Sequence, residues 1–114
     1  MSDYVLDYLE LPSAQHDKSR SFFSQAFGWT FVDYGGSYAE IRGAGLVFGV
    51  NSDEADKSAA PIPVIRTEDI EKAVKDVIAA GGVITREPYD FPGGRRFFFR
   101  EPGGNECAVY MTRD

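Results

Sequence analysis

The sequence predicts an α+β fold made of two βαβββ modules in tandem. Strand-like segments outnumber helical ones, each helix stands between one strand and three further strands, and a polar stretch separates the two sets. The predicted single domain covers residues 1–114, with module one at about 4–50, a linker at about 51–60 and module two at about 61–111. Because both modules have their strands and helix in the same order, the sequence indicates an internal duplication.

Module one begins with a strand over 4–11, because aromatic and branched residues dominate this stretch and a proline follows it. A helix over 17–27 is predicted from an apolar stripe at helical spacing, with Ser13 as a candidate cap and Gly28 at its end. Three further strands follow, at 29–34, 37–42 and 46–50.

Module two repeats this order. A strand over 61–66 precedes a helix with Thr67 as its candidate cap and a pair of glycines at its end. Three strands follow, at 83–86, 96–100 and 106–111. The two helices match at a constant offset of 54 residues, which pairs Phe23 with Val77 and Gly28 with Gly82.

The composition excludes several classes of partner. A formal net charge of −6 argues against nucleic acid, which needs a basic face, and against an anionic membrane surface. No apolar run approaches the length of a spanning helix, and the N-terminus has no secretory signal. A single cysteine, Cys107, cannot form an internal disulfide, so we expect a cytoplasmic protein.

Three stretches of the chain carry a family resemblance. The first is Tyr8–Pro12 with the Ser21–Phe23 and Ala26–Trp29 segments of the helix, and the second is Arg66–Ile70 with Ala80–Gly82. The third is the turn sequence Phe98–Glu106. In this order and spacing the chain resembles the vicinal-oxygen-chelate superfamily, which includes glyoxalase I, bleomycin-resistance proteins and extradiol dioxygenases.

The resemblance implies that the modules form curved, mostly antiparallel half-barrel sheets with helices on the outer face. It also implies a homodimer and a concave cup that holds a small molecule. Metal-dependent members place four ligands in that cup, each His, Gln or Glu, and use a divalent cation as a Lewis acid.

The four metal positions carry no suitable ligand here. They fall at Tyr8, Ile62, Ala108 and near Phe48, none of which normally binds a divalent cation. The only histidine, His16, precedes the first helix. We therefore predict no metal cofactor. The alternative is a displaced site built from three strand carboxylates, those of Glu10, Glu40 and Glu106.

Strand alternation predicts which side chains line the cup. On the first strand, Val5, Leu9 and Leu11 should pack under the helix, whereas Tyr4, Leu6, Tyr8 and Glu10 should face the cup. On the last strand, Cys107, Val109 and Met111 should face the helix. The predicted ligand-binding set joins aromatic walls to a few polar groups: Tyr8, Glu10, Glu40, Arg42, Phe48, Phe98, Arg100, Glu106 and Tyr110.

Glu10 is the best catalytic candidate in this set. A carboxylate against an aromatic wall is partly desolvated and can act as a general base. The alternative, which we favour, is an ion pair with Arg42 or Arg100.

Three functions remain open from the sequence. The first is a small-molecule binder that takes a partly aromatic or planar ligand without a standard metal site, as bleomycin-resistance proteins bind without chemistry. The second is a metal-dependent lyase, similar to lactoylglutathione lyase, or a dioxygenase with displaced carboxylate ligands. The third is a non-catalytic interaction module whose cup is filled by its own side chains.

Overall fold

The computed structural model describes residues 3–112 of the chain and confirms the α+β prediction. The order strand, helix and three strands occurs twice, as the sequence predicts. The elements are β1 (Val5–Pro12), α1 (His16–Phe27), β2 (Thr30–Asp33), β3 (Tyr38–Arg42), β4 (Val47–Asn51), β5 (Ile62–Arg66), α2 (Ile70–Ala79), β6 (Val83–Phe91), β7 (Gly94–Arg100) and β8 (Glu106–Thr112). Within residues 3–112, no helix combines the length and apolar character that crossing a membrane requires.

The described residues form two compact units. Residues 8–62 form the first, which we call the N unit, and residues 3–7 with 63–112 form the second, the C unit. The strand β1 contributes its first residues to the C unit and the remainder to the N unit.

In the N unit the strands lie in the order β2-β3-β4-β1. The pair β1 and β4 is parallel, and the other pairs are antiparallel. One sheet face packs against α1, where Phe23 meets Phe48 edge to face with ring centroids 5.2 Å apart. The buried core of this face consists of Ala39, Ile41, Phe48 and Val50, with Leu9, Leu11 and Trp29 packed around it.

In the C unit the strands lie in the order β5-β8-β7-β6, with β5 and β8 parallel. One face packs against α2, and its buried core consists of Ile70, Ala73, Phe97, Phe99 and Val109. Cys107 and Met111 pack against this core, which confirms the predicted inner face of the last strand.

Three predicted side-chain placements are wrong. Phe48 lies in the core under α1 and not on the face that carries Tyr8, because the true register of β4 is shifted by one residue from the predicted one. Tyr4 packs against the C-unit core, and its hydroxyl donates to Asp76 on α2. The alternation does not extend to Tyr4, since β1 begins at Val5, and Val5 itself is 48% exposed.

Both helices start later than their predicted caps. Gln15 precedes α1 without a side-chain cap, while Ser13 Oγ accepts a hydrogen bond from the Gln15 backbone N–H. Asp69 caps α2 by accepting from the Lys72 backbone N–H at 3.1 Å. Thr67 instead accepts from the Asp69 N–H and shapes the turn before the helix.

Candidate functional site

Each sheet has a second face opposite its helix, which we call the open face. On the N unit, strand alternation places the polar residues of β1, β3 and β4 there together with one glycine: Tyr8, Glu10, Tyr38, Glu40, Arg42, Gly49 and Asn51. The registers align Glu10 with Gly49 and Gly49 with Glu40, so these three positions form one row across the sheet.

Two tyrosines and one glutamate form a hydrogen-bonded chain on this face. Tyr8 Oη and Tyr38 Oη lie 2.6 Å apart, and Tyr38 donates to Glu10 Oε2 at 3.1 Å. A phenol has a single proton to donate. Because Tyr38 gives its proton to the carboxylate, the bond between the two phenols must use the proton of Tyr8. The chain therefore points from Tyr8 through Tyr38 to Glu10.

Asn51 also contacts the carboxylate of Glu10. Its Nδ2 donates to Glu10 Oε1 at 3.4 Å and to Asp56 Oδ2 at 3.0 Å, and its Oδ1 accepts from the Asp53 backbone N–H. Asn51 and Glu10 are only 2% and 6% exposed. The prediction that residue 51 starts an exposed linker is wrong, because it is the last residue of β4 and is buried. We call Tyr8, Tyr38, Glu10, Asn51 and Asp56 the tyrosine network.

The network depends on a glycine beneath it. A Cβ atom at position 49 would overlap the Tyr38 hydroxyl and ring, and would lie 2.5 Å from Tyr8 Oη. The two phenols thus occupy the space that any larger residue at Gly49 would need.

Burial dominates the acidity of both phenols. It raises the pKa of Tyr8, an effect that the hydrogen bond with Tyr38 partly offsets. It also raises the pKa of Tyr38, with a further rise from the negative charge of Glu10. Both side chains are therefore neutral hydrogen-bonding groups at neutral pH.

Arg42 does not form the predicted ion pair with Glu10. Its guanidinium pairs with Glu40 at 2.8 Å on the same strand and donates to Tyr34 Oη. Arg100, the other predicted partner, donates to the Gly104 carbonyl within its own turn. The donors that contact Glu10 include a phenol and an amide, which are neutral.

On the C unit the open face carries arginines stacked on aromatic rings. The Arg86 guanidinium carbon lies 4.1 Å from the Tyr89 ring centroid and 5.4 Å from that of Phe98. Arg96 lies 5.3 Å from the Tyr89 ring, 5.1 Å from Phe91 and 5.5 Å from Phe98, and its Nε also donates to Tyr89 Oη. These distances fall within the range of favourable cation–π contacts. We call these five residues the arginine–aromatic surface.

The remaining predicted site residues of the C unit have separate partners. Tyr110 donates to both oxygens of Asp7, at 3.0 and 3.2 Å, and Asp7 also pairs with Arg66 at 3.5 Å. Glu106 accepts from Thr85 at 2.7 Å. The predicted set thus divides among several local clusters within each unit.

Sequence reasoning missed Tyr38, Asn51, Arg86 and Tyr89. Tyr38 had a usable signal, since it stands two residues before Glu40 and must share its face. The others gave none, because the sequence predicts that the strand containing Arg86 ends there and that residue 51 is a loop residue.

The model of the Glyoxalase/Bleomycin resistance protein/Dioxygenase superfamily matches residues 5–109. The chain belongs to this superfamily. An uncharacterized protein of Mycolicibacterium smegmatis is 28% identical over 112 residues, which cover 96% of both chains.

Solved structures support the same fold. A superfamily member from Vibrio splendidus aligns with a TM-score of 0.69 at 15% identity, covering 93% of this chain and 97% of that one. An NAD-dependent benzaldehyde dehydrogenase from Legionella pneumophila aligns with a TM-score of 0.80 at 12% identity, covering 93% of this chain and 98% of that one. At such identities the similarity shows the fold alone.

The four positions at which the resemblance implies metal ligands carry no side chain that normally binds a divalent cation. The offset of 54 residues between the modules makes Val64 the counterpart of Glu10. Glu10 lies opposite Gly49, and Val64 lies opposite Ala108, so Gly49 is the counterpart of Ala108. The fourth position, predicted near Phe48, is therefore Gly49, which has no side chain. Ile62 and Ala108 are apolar and 1% exposed. Over residues 3–112, no three His, Cys, Asp or Glu side chains are grouped so that they could hold a metal ion.

Proposed function

We propose that this protein binds a small planar ligand bearing a negative charge, without a standard metal site. One observation carries the proposal: two guanidiniums of the C unit are held against three aromatic rings. A guanidinium stacked on a ring is fixed in orientation, and its planar set of N–H donors suits a carboxylate.

The guanidiniums select a negative charge, and the aromatic rings beside them favour a planar ligand. Tyr89 and Phe91 are half-buried and so keep surface that a ligand can contact. Phe98 is 3% exposed, and both arginines pack on it. Ligand sites commonly combine such apolar lining with a few placed polar groups. The net charge of the chain is −6, so an anion needs a place where cationic side chains are grouped. The arginine–aromatic surface brings two guanidiniums together and provides such a place.

The experiment uses naphthalene-2-carboxylate as the probe, with calorimetric titration and thermal shift on the whole chain. Naphthalene-2-carboxamide is the uncharged control, and cyclohexanecarboxylate is the non-aromatic one. We expect the naphthalene carboxylate to bind and the carboxamide to bind about tenfold more weakly, because it lacks the charge-assisted contact. Cyclohexanecarboxylate keeps the charge but should also bind more weakly, because it has no planar ring to stack on the guanidiniums.

Arg96→Gln tests the residue assignment against Arg95→Gln. Arg95 is the adjacent arginine on β7 but lies on the other face, where it pairs with Glu71 at 3.0 Å. Arg96→Gln should weaken binding of the carboxylate and Arg95→Gln should leave it nearly unchanged. Equal effects of the two variants, or equal binding of the amide, would refute the proposal. If no probe stabilises the protein, the filled-cup interaction module is the better explanation.

The metal-free part of the proposal is tested separately. Protein purified without chelators should contain substoichiometric Zn, Ni, Mn and Fe by mass spectrometry. Near-stoichiometric metal that is lost on Glu10→Gln would overturn it and favour a lyase or dioxygenase with displaced ligands.

A further inference from the structure

The tyrosine network of the N unit plays no part in the proposed anion site, but its hydrogen bonds suit a ligand of another kind. Its hydrogen bonds form a directed series from Tyr8 to Tyr38 to Glu10. Tyr8 is half-buried, while the carboxylate at the other end is 6% exposed. The more accessible end of the series is therefore Tyr8.

The direction of the series determines what Tyr8 can bind. Glu10 accepts from Tyr38 and Asn51, as a carboxylate does, and Tyr38 has no second proton. The proton of Tyr8 is then committed to Tyr38. The Tyr8 oxygen retains only its lone pairs, so a further partner at this atom must be a hydrogen-bond donor.

We propose that Tyr8 Oη is the contact point for a neutral hydroxyl or N–H group on a planar ligand, and that the network accepts this group only together with its proton. The ligand class is a phenol, an enol or an amide in its uncharged form. All residues of this site belong to the N unit, whereas the arginine–aromatic surface consists of residues of the C unit.

The charges around the network oppose an anion at Tyr8. The acidic groups facing it are Glu10 on β1, Glu40 on β3 and Asp56 after β4. The cation Arg42 is engaged by Glu40, and Tyr34, which also faces Tyr8, accepts from Arg42. Both network phenols resist ionisation because burial raises their pKa.

If the ligand ionised in this site, the proton that it lost would have to remain in the network. The ligand O–H proton would pass to Tyr8 as the Tyr8 proton passes to Tyr38 and the Tyr38 proton to Glu10. The ligand oxygen would keep the electron pair of its broken O–H bond, and Glu10 would become a neutral acid. The total number of bound protons is the same in both arrangements, so binding requires the protonated ligand wherever the proton finally resides.

The test measures the dissociation constant of 4-nitrophenol, whose hydroxyl ionises near neutral pH, from pH 6 to pH 9. Affinity should be constant below the pKa of the probe and should fall about tenfold for each pH unit above it. Phenol, which stays neutral over this range, should show a flat profile. 4-Nitroanisole, which has no O–H, should bind more weakly than 4-nitrophenol at pH 6.

Variants separate this site from a merely structural network. Tyr8→Phe should weaken the binding of 4-nitrophenol at pH 6, whereas Tyr4→Phe, which removes a hydroxyl that donates to Asp76 in the C unit, should not. Glu10→Gln gives Tyr38 a neutral partner that can donate, which frees Tyr8 to donate to a phenolate. In this variant, the affinity for 4-nitrophenol should fall less steeply as the pH rises above the pKa of the probe.

Three results would overturn the inference: no binding that depends on Tyr8, equal affinity for phenol and phenolate in the unmodified protein, or an unchanged pH profile in Glu10→Gln. Arg96→Gln should leave 4-nitrophenol binding intact. A failure of this inference can therefore be told apart from a failure of the proposed anion site, because the anion site is assayed with a different probe and a different variant.

Discussion

Gly49→Ala should be among the most destabilising single-methyl additions in the N unit. The new Cβ would overlap the hydroxyl and ring of Tyr38 and lie 2.5 Å from Tyr8 Oη, so the Tyr38 ring must move. Overpacking of this kind costs about 1–3 kcal/mol, and removal of a hydrogen-bond donor from buried Glu10 costs about 1–3 kcal/mol more. We expect a loss of about 3 kcal/mol in the free energy of unfolding, measured by urea denaturation.

Gly36→Ala is the matched control, since no atom lies within 4 Å of a Cβ at that position. It should change stability by less than about 0.5 kcal/mol. A double-mutant cycle identifies the cause. In a Tyr38→Ala background the obstructing ring is gone and the Tyr8 hydroxyl can move into the space it leaves, so Gly49→Ala should cost less than about 1 kcal/mol. If Gly49→Ala is as mild as Gly36→Ala, or equally costly in both backgrounds, the Tyr38 ring is not what excludes a side chain at position 49.

Three further predictions concern the fold and its titratable groups. Asp69→Ala removes the side chain that accepts from the Lys72 N–H at the start of α2, and should cost about 1 kcal/mol in urea denaturation. Because burial raises the pKa of Tyr8 and Tyr38 above their ordinary value of 10.0, their stabilising contribution is full below that pH and declines as the pH rises above it. Alkaline titration at 295 nm (roughly the phenolate band) should show two phenols that ionise only on unfolding, and Tyr38→Phe should reduce the stability loss by up to about 1.4 kcal/mol per pH unit. Burial, and then the nearby glutamates, raise the pKa of the Cys107 thiol, so iodoacetamide should alkylate native protein at pH 8 more slowly than urea-unfolded protein.

The order of elements was predictable because hydrophobic spacing reports local structure directly. The helix stripes and the glycines that end them identify α1 and α2 within one or two residues at each end. The strand β6 was predicted to end at Arg86 but continues to Phe91. Two register shifts, between Ile84 and Arg86 and between Arg86 and Tyr89, let the strand accommodate Pro88, which cannot donate to a ladder.

The candidate sites were less accessible from the sequence, because they depend on strand register. Tyr38 and Glu10 stand 28 residues apart, and only the pairing of β3 with β4 and of β4 with β1 brings them together. The glycines at 43 and 45 leave the start of β4 undefined in the sequence, and a shift of one residue moved Phe48 to the wrong face. Sequence alternation assigns faces within a strand, but it does not align one strand with the next.

The internal repeat places one residue of each candidate site at an equivalent position in its unit. In the N unit, Tyr38 lies two residues along β3 from the row that contains Gly49, and in the C unit Arg96 lies two residues along β7 from the row that contains Ala108. Tyr38 and Arg96 therefore occupy equivalent positions, and each is the centre of the polar contacts on its open face.

The tyrosine network and a metal ligand at position 49 exclude each other because they need the same space. A histidine, glutamine or glutamate at Gly49 would need the volume that the Tyr8 and Tyr38 hydroxyls fill. A chain that keeps both phenols there cannot also place a side-chain ligand on that strand position. The N unit therefore offers a carboxylate reached through two phenols in place of a ligand for a cation. In the site that we propose, Tyr8 would accept a hydrogen bond from a ligand that keeps its proton.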